Sequence, residues 1–450
     1  MPVKVGCISL GCPKNLVDSE IMLGLLNSDN YEITVNMPEA EAIIVNTCAF
    51  IGDAKEEAVD AILEASLYKQ TGRLKALIVT GCLAQRYRDE IINEIPEVDA
   101  VLGTGNIPEI ERVIANHIGG MKDQRLFVND PADVDYLDNL RMLSSKGASQ
   151  YLKIAEGCSN HCTYCIIPSL RGPFRSRSIE SIINEGKRLV ASGARELILI
   201  AQDVSRYGED RYNEGSLVKL IRELSQLEEL RWIRLLYCYP ERITDALIQQ
   251  MKNNPKLLAY LDIPIQHASD RILKAMGRKS RRKDLIALIN TLRKEVPGII
   301  LRTSLITGFP GETEEDFNTL LSFVKAHPFD RLGVFAYSQE EGTPAATMDN
   351  QVDEQIRGNR REQLLSVQSE IAVKKLKKRL GQVYEVLTEG VADDGIFYYG
   401  RSYGEAPDID PLIYFTSPRP LDMGGFVRVK ILDSQQLDLI GEAIFNESAE

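Results

Sequence analysis

Short apolar runs alternate with amphipathic stretches along the first 140 residues. Three of these runs, VKVGCISLG, AIIVNT and KALIVTG, are rich in aliphatic and β-branched residues. Stretches with helical periodicity follow them, as in DAKEEAVDAILEASL. Strands that alternate with helices are typical of a parallel sheet with helices on its faces. We therefore predict an α/β protein whose N-terminal domain, residues 1–140, is a doubly wound parallel sheet.

The same alternation recurs six times between residues 149 and 380. The strand candidates are YLKIAE, ELILIAQD, WIRLLYCYP, LAYLDIPIQ, IILRTSLITGF and RLGVFAYS. Six units predict an open, partial (βα)6 barrel with its site at the carboxyl ends of the strands. A long amphipathic helix, roughly residues 353–380, is predicted to end this domain. The polar stretch 130–149 is predicted to be the linker that precedes it.

From residue 381 the pattern changes to short aromatic and β-branched runs separated by Gly, Asp and Pro. The five runs QVYEVLTEG, GIFYYGRSYG, PLIYFTS, GGFVRVKILDS and LDLIGEAIF predict a small antiparallel β-barrel over residues 381–450. This segment holds thirteen acidic and four basic residues, so it carries −9 of the chain's net charge of −12. Such a surface repels a phosphate backbone and attracts a basic partner, although an acidic surface kept for solubility has the same composition.

The bulk composition is that of a globular enzyme, with 44% hydrophobic and 26% charged residues. No apolar run reaches the length that crosses a membrane. The first residues, MPVKVGCISLGC, lack the basic, apolar and small-residue sections of a secretory signal. We therefore expect a cytoplasmic protein without membrane contact. In that reducing compartment, cysteines are more often metal ligands or catalytic groups than disulfide partners.

Six of the eight cysteines form two sets of three. Cys158, Cys162 and Cys165 make up the first set, in the run CSNHCTYC just after the first predicted barrel strand. Three thiolates leave one position open on a tetrahedral ion or a cubane iron–sulfur cluster, so the set predicts a centre that binds a further ligand. The alternative is a structural zinc with His161 as fourth ligand. It is disfavoured because His161 adjoins Cys162 and zinc sites favour paired Cys-x₂-Cys hairpins.

The second set, Cys12, Cys48 and Cys82, is dispersed, but each member follows one of the three N-terminal strand candidates. Parallel strands present their carboxyl ends along one edge of a sheet, so the three can converge there. A single strand-end cysteine is more often a small buried hydrophobe, and only the combination predicts a second centre. Cys7 and Cys238 lie inside apolar runs and are interpreted as core residues.

The run CSNHCTYC resembles the signature of the radical S-adenosylmethionine enzymes. The resemblance implies that its three cysteines hold a 4Fe–4S cluster, whose open iron binds S-adenosylmethionine, and that the aromatic residue before the last cysteine borders the adenine. The segment TGFPGET resembles the family's glycine-rich cofactor segment, and the turn after the second strand is a similar candidate. The implied cofactor contacts are Tyr164, Gln202, Asp203, Gly308, Gly311 and Glu312.

A radical enzyme with a second three-cysteine centre ahead of its barrel resembles the methylthiotransferases. The motifs SLGCPKN around Cys12, NTCAF around Cys48 and GCLAQRY around Cys82 carry this resemblance. It implies an auxiliary 4Fe–4S cluster in the N-terminal domain, and therefore two 4Fe–4S clusters and S-adenosylmethionine as cofactors. It also implies that the terminal barrel is a TRAM domain that holds the substrate.

Members of this family modify either a transfer-RNA adenosine or an aspartate of ribosomal protein S12. SLGCPKNLVDSE resembles the RimO class, which acts on the protein, since the transfer-RNA enzymes typically carry Gln and Asn after the cysteine. The acidic barrel also favours a basic protein over direct reading of RNA. The resemblance thus implies radical insertion of sulfur and methyl at an aspartate β-carbon, giving 3-methylthio-aspartate, with a flavodoxin or ferredoxin as electron donor. The alternatives are 2-methylthio modification of transfer RNA and a non-catalytic iron–sulfur sensor.

Overall fold

The computed structural model describes residues 1–121, 124–132, 137–138, 140–144, 147–213 and 215–445. Within these residues the chain forms three successive units, each built on its own sheet. The predicted linker, 130–149, falls partly outside the described residues. No helix in the described ranges is both long enough and apolar enough to cross a membrane.

The first unit is a six-stranded parallel sheet with helices on its faces. Its elements are β1 (Val3–Ser9), α1 (Pro13–Leu25), β2 (Tyr31–Ile33), β3 (Ala42–Thr47), α2 (Gly52–Ser66), α3 (Tyr68–Thr71), β4 (Ala76–Gly81), α4 (Cys82–Arg86), α5 (Arg88–Glu94), β5 (Ala100–Leu102), α6 (Ile110–Ile118) and β6 (Leu126–Phe127). The spatial order β2-β1-β3-β4-β5-β6 confirms a doubly wound sheet that reverses between β1 and β3. Every residue of β3 and β4 is buried because both faces of the sheet are covered.

The second unit is an open sheet of six parallel strands. Its elements are β7 (Ser149–Lys153), β8 (Ala155–Glu156), α7 (Ile167–Arg171), β9 (Arg175–Ser176), α8 (Ile179–Ala191), β10 (Glu196–Ile200), α9 (Glu209–Tyr212), α10 (Leu217–Leu224), β11 (Trp232–Leu235), α11 (Asp245–Asn253), β12 (Leu257–Asp262), α12 (Asp270–Ala275), α13 (Arg282–Glu295), β13 (Ile300–Thr307), α14 (Glu314–Ala326), β14 (Arg331–Ala336) and α15 (Glu354–Lys377). Strands β7, β10, β11, β12, β13 and β14 lie side by side in chain order, while β8 and β9 form a separate short ladder. The six predicted strands are thereby confirmed.

The third unit is a closed five-stranded barrel. It contains β15 (Val383–Val391), β16 (Tyr398–Arg401), β17 (Ile413–Thr416), β18 (Phe426–Gln435) and β19 (Asp438–Ile444), in the closed order β15-β16-β17-β19-β18. The prediction of a small barrel is confirmed, but not all of its pairs are antiparallel, because β17 and β19 run parallel. The reason is topological: an odd number of strands cannot alternate in direction all the way around a closed barrel.

A buried ion-pair cluster joins the barrel to the central sheet. Glu196, at the start of β10, lies 2.7 Å from Arg234 Nε and 2.8 Å from Arg401 Nη2, and the three side chains are fully buried. Nearby, the ring of Trp232 packs edge-on against Phe426 of the barrel, with centroids 4.8 Å apart. The barrel is therefore held on the amino ends of the central strands by specific charged and aromatic contacts.

Candidate active site

The three N-terminal cysteines lie at the carboxyl edge of the first sheet. Cys12 is the N-cap of α1, Cys48 follows β3, and Cys82 begins α4 directly after β4. Strands β1 and β3 meet where the strand order reverses, which is where open α/β sheets bind ligands. Gly11 has a φ of +83°, and a Cβ added there would lie 2.7 Å from the Cβ of Cys48. The loops that carry Cys12 and Cys48 are thus in direct contact.

Two buried amides tie these loops together. Asn15 Nδ2 donates hydrogen bonds to the carbonyl oxygens of Leu10, at 3.1 Å, and Thr47, at 2.9 Å. Asn46 Nδ2 in turn donates to the carbonyl oxygen of Asn15, at 2.8 Å. These are the asparagines of the SLGCPKN and NTCAF motifs, so each motif supplies both a cysteine and the amide that positions a neighbouring loop.

The second set of cysteines lies on the loop between β8 and α7. Cys158 and Cys162 are only 6% and 5% exposed, and Cys165 is half-buried. The Cys158 N–H donates to the carbonyl oxygen of Gly172, at 3.1 Å, which fixes the start of the loop. Cys162 Sγ lies 3.5 Å from the Tyr239 hydroxyl, which places this loop against the segment that follows β11.

The donor chemistry of both sets fits a cubane cluster. Burial, together with neighbouring thiols, raises the pKa of Cys48 to about 11, and burial raises that of Cys165 to about 12, so the thiolates need a positive partner that iron would supply. Among the described residues, no three His, Cys, Asp or Glu side chains are placed to hold a single metal ion. A cubane needs wider spacing, since each thiolate binds a different iron. His161 is exposed while Cys162 is buried, so the structure does not favour the zinc alternative.

A buried cluster of charged side chains contacts the N-terminal cysteines, and sequence reasoning did not identify it. Arg171, at the end of α7, lies with Nε 3.4 Å from Cys82 Sγ and Nη1 2.6 Å from Asp18 Oδ2. Lys153 Nζ is 2.6 Å from the other Asp18 oxygen, and Glu156 Oε2 is 3.3 Å from Arg171 Nη1. These ion pairs join the first unit to the second unit. The only sequence signal was a lysine inside the apolar strand run YLKIAE.

Lys14 is a further buried cation, two residues after Cys12. It is 9% exposed, and its Nζ lies 3.5 Å from the centroid of the Tyr237 ring. Burial lowers its pKa, but Tyr237, Cys12 and Glu156 raise the pKa of Lys14 above its ordinary value, so the amine is charged. Within the described residues it forms no ion pair with a carboxylate. Tyr237 follows β11 and lies two residues before Tyr239, so Lys14 joins the loop of Cys12 to the segment that contacts Cys162.

One predicted cofactor contact, Tyr164, lies in the second cysteine loop, and another, Gln202, lies close to the start of that loop. Tyr164 is half-buried and packs against the apolar cluster Ile272, Met276, Phe309, Tyr337 and Ala345. Gln202 Nε2 donates to Glu156 Oε1 at 2.6 Å. Its Oε1 atom is buried and accepts no hydrogen bond from the described residues. Gln202 therefore offers a bound molecule an unused acceptor.

The predicted glycine segment forms a turn that is closed within the protein. Glu312 accepts hydrogen bonds from the Gly308 N–H, at 3.0 Å, and from Arg360 Nη1, at 2.8 Å, so both carboxylate oxygens are engaged. A Cβ at Gly308 would overlap Arg357 of α15, which covers that side of the turn. The Gly311 N–H donates to the carbonyl oxygen of Asn350, at 2.8 Å. These hydrogen bonds fix the shape of the turn, and its contact with the cofactor stays a prediction.

Asp203 is engaged in the same way. Its carboxylate accepts hydrogen bonds from Asn160 Nδ2, at 2.8 Å, and from the Ser205 hydroxyl, at 2.5 Å. Because Asn160 lies between Cys158 and Cys162, Asp203 positions the cysteine loop. Of the two other cysteines, Cys238 is fully buried in the core of the central unit, and Cys7 is half-buried on β1.

Three family models match successive parts of the chain. They are the Uncharacterized protein family UPF0004 over residues 4–103, the Radical SAM superfamily over residues 152–324 and the TRAM domain over residues 380–444. Among solved structures, the radical S-adenosylmethionine methyltransferase TsrM of Kitasatospora setae has a similar fold. Its TM-score is 0.59 at 13% identity, over 77% of this chain and 74% of that one. The match to the Radical SAM superfamily indicates a radical S-adenosylmethionine enzyme, a class that uses a 4Fe–4S cluster and S-adenosylmethionine.

Relatives that match along their whole length specify which radical S-adenosylmethionine enzymes the chain is similar to. The ribosomal protein uS12 methylthiotransferase RimO of Acetivibrio thermocellus is 54% identical over the whole of both chains. The enzyme of the same name from Geobacter sulfurreducens is 52% identical over 98% of each chain. The chain therefore belongs to the RimO family of methylthiotransferases.

Proposed function

We propose that this enzyme transfers a methylthio group to the β-carbon of an aspartate in ribosomal protein S12, giving 3-methylthio-aspartate. The names of its relatives specify uS12 as their substrate. The observation that carries the proposal is Lys14, a buried ammonium that forms no ion pair with a carboxylate among the described residues and contacts the segment next to Cys162. Because no described carboxylate lies within ion-pair distance of Lys14, an aspartate side chain can bind it directly, whereas a neutral adenine brings no negative charge.

Each cysteine set would hold one 4Fe–4S cluster. Cys158, Cys162 and Cys165 would hold the cluster that binds S-adenosylmethionine, and Cys12, Cys48 and Cys82 would hold the auxiliary cluster. When bound, these groups supply a carbon-centred radical that removes hydrogen from an unactivated C–H bond, and the sulfur and methyl that replace it.

The chain's own side chains position the cofactor and exclude water. Tyr164 would cover one face of the adenine from its apolar cluster, and the free Gln202 Oε1 would accept a hydrogen bond from the cofactor. Gly308, Gly311 and Glu312 would contact the cofactor through the turn that the Glu312 hydrogen bonds hold in place. The catalytic groups would thus be the cluster ligands themselves.

Lys14 would orient the target aspartate. An ammonium that binds the side-chain carboxylate directs the adjacent β-carbon into the space between the cysteine sets. A charge-assisted hydrogen bond in such a dry site is worth roughly 1.5–3 kcal/mol. Binding energy of this kind also selects aspartate over its neutral analogue, because asparagine would leave the ammonium without a counter-charge.

The surface of the terminal barrel supports a basic protein substrate over transfer RNA. Its exposed acidic residues outnumber its exposed basic ones; the acidic residues are Glu385, Asp393, Asp394, Asp408, Asp422, Asp433 and Glu442, and the basic ones are Arg419, Arg428 and Lys430. Such a surface attracts a basic ribosomal protein, free or on the ribosome, and repels a phosphate backbone. The reaction would take its electron from a flavodoxin or ferredoxin in the cytoplasm.

The test separates the two cysteine sets. With dithionite as reductant, Cys162→Ala is expected to abolish formation of 5′-deoxyadenosine. Cys48→Ala is expected to keep that formation but to stop methylthiolation of a peptide containing the target aspartate, measured by mass spectrometry. Cys7→Ala, outside both sets, serves as the control and should retain both activities. The proposal fails if Cys48→Ala methylthiolates the peptide, or if the wild-type enzyme modifies a transfer-RNA stem-loop instead.

A further inference from the structure

A basic surface interrupts this acidic chain beside the second cysteine loop. From Arg271 to Lys283 the sequence contains seven Lys and Arg residues and no Asp or Glu, in a chain of net charge −12. Arg271 is paired with Asp316, and Arg278 is buried. The remaining exposed members, which we call the basic surface, are Lys274, Lys279, Arg281 and Lys283.

Three lysines of this surface have no described carboxylate at ion-pair distance, although Glu241, Asp270 and Asp284 accept backbone hydrogen bonds from the same segment. Lys274, Lys279 and Lys283 form no ion pair with a carboxylate in the part of the chain that the structure describes. Three ammonium groups without ion pairs, on neighbouring turns, create a local positive potential on a molecule of net charge −12. That arrangement attracts an acidic partner to this part of the enzyme.

The segment that carries the basic surface is packed directly on the cysteine loop. Thr163, between Cys162 and Cys165, donates hydrogen bonds through its N–H to the Met276 carbonyl, at 3.1 Å, and through its hydroxyl to the Ala275 carbonyl, at 2.8 Å. Arg278 Nη1 lies 3.9 Å from Cys162 Sγ. The basic surface is therefore separated from the Cys162 sulfur by a single layer of residues.

The cysteine loop also reaches solvent at this point. His161 is exposed, and the neighbouring Gly277 is exposed with a φ of +73°. A Cβ at Gly277 would lie 3.1 Å from the His161 carbonyl oxygen, so the absence of a side chain lets the two segments meet at the surface. A protein that docks here comes as close to Cys162 as the outer surface of this loop allows.

We propose that the basic surface is the docking site of an acidic one-electron carrier protein. This inference rests on the proposed function, because only a reducible cluster on Cys158, Cys162 and Cys165 needs such a donor. Each docking event would transfer one electron: the flavin or iron–sulfur group of the carrier is oxidised by one electron and the cluster is reduced by one. Carriers of this kind form small, salt-sensitive interfaces that depend on charge complementarity.

The chain offers a matched control at the opposite end of the second unit, where its strands begin. Lys374, Lys377 and Lys378 are exposed near the end of α15. That end of the helix is placed by Lys375, whose Nζ is 2.5 Å from Asp330, just before β14 begins. The start of the helix is placed by Arg357, which donates to the carbonyl oxygen of Tyr337, just after β14 ends. The control lysines thus lie at the amino ends of the strands, away from the cysteine loop.

The experiment compares two triple variants with equal changes of charge. One is Lys274→Glu, Lys279→Glu and Lys283→Glu, and the other is Lys374→Glu, Lys377→Glu and Lys378→Glu. Calorimetry would measure the affinity of each reconstituted enzyme for purified oxidised flavodoxin at about 50 mM salt. The first variant is expected to bind roughly 10-fold more weakly or worse, and the control less than about 3-fold more weakly. Wild-type affinity should fall as salt is raised.

A second readout separates this inference from the proposed function. Dithionite needs no docking site, so all three enzymes should form 5′-deoxyadenosine with it at equal rates, whereas flavodoxin-driven formation should slow only in the first variant.

If dithionite fails with the wild-type enzyme, the proposed function fails. If dithionite succeeds but the two variants bind flavodoxin equally, only the docking site is wrong. If the first variant instead loses affinity for a ribosomal RNA fragment alone, the surface binds RNA and the inference is overturned.

Discussion

At the scale of single residues, two buried cations, Arg171 and Lys14, lie close to the N-terminal cysteines. Arg171 contacts Cys82 and is neutralised by Asp18 and Glu156, so its charge is used within the protein. Lys14 lacks such a carboxylate among the described residues and contacts the Tyr237 ring instead. Burying an ammonium without a carboxylate is costly, and the cost is recovered when a ligand supplies the anion. Lys14 is therefore the side chain whose removal should affect substrate binding most selectively.

We expect Lys14→Met to weaken binding of a peptide that carries the target aspartate by roughly 10- to 100-fold, the equivalent of one charge-assisted hydrogen bond. Fluorescence anisotropy would measure the affinity. Replacing the aspartate by asparagine in the peptide should weaken binding to the wild-type enzyme but have little further effect on the variant, which completes a double-mutant cycle. Lys75→Met, at an exposed lysine paired with Glu41, is the control. Unchanged discrimination between the two peptides in Lys14→Met would contradict the assignment.

At the scale of elements, the site is made by the ends of strands rather than by the strands themselves. The alternating pattern predicted β1, β3 and β4, but it missed β2, β5 and β6, because two or three residues are too few to show a period. The loops after β1, β3 and β4 carry the N-terminal cysteines. Their mutual approach depends on Gly11, where the left-handed backbone and the contact with Cys48 both exclude a side chain.

We expect Gly11→Ala to lower the iron content of anaerobically reconstituted enzyme from about eight to about four atoms per chain, because it displaces Cys48 and leaves the second cysteine set intact. Iron and acid-labile sulfide analysis measures this loss. Gly120→Ala is the matched control, since Gly120 has a φ of +86° in the same unit but open space where the Cβ would be. Equal iron contents in the two variants would show that contact with Cys48 is not needed for the auxiliary cluster.

At the scale of the whole molecule, buried charges couple the units to one another. Arg171 and Lys153 join the first unit to the second unit through Asp18. Glu196 joins the second unit to the terminal barrel. Burial alone would raise the pKa of Glu196, but Arg234 and Arg401 outweigh it and lower the pKa to about 2. Because the folded pKa is below the unfolded value of roughly 4.3, Glu196 stabilises the fold above that pH and loses this effect as the pH falls toward 2.

Glu196→Gln should lower the free energy of unfolding by about 3–5 kcal/mol at pH 7, because it leaves two buried guanidinium groups without their shared anion. The difference from wild type should begin to shrink below about pH 4.5, by up to about 1.4 kcal/mol per pH unit. Trp232, the only tryptophan in the chain, packs on the barrel at this junction, so its fluorescence in urea titrations reports the change. Glu229→Gln, which removes an exposed pair with Arg195, is the control. A difference independent of pH would exclude ionised Glu196 as the cause.

The amino-acid sequence by itself determined the order of the three units, the six barrel strands, the five strands of the terminal barrel and the two sets of cysteines. These are local properties, because periodicity and motif spacing act within a few turns of chain. Only the tertiary structure decided which charges are buried and which partners they have. Glu312 and Asp203, both predicted cofactor contacts, accept hydrogen bonds from Arg360 and Asn160 that the sequence did not indicate. Lys14 is a candidate substrate contact because it is covered by Tyr237, more than two hundred positions away in the chain. Such pairings depend on contacts between distant segments, and no local pattern encodes them.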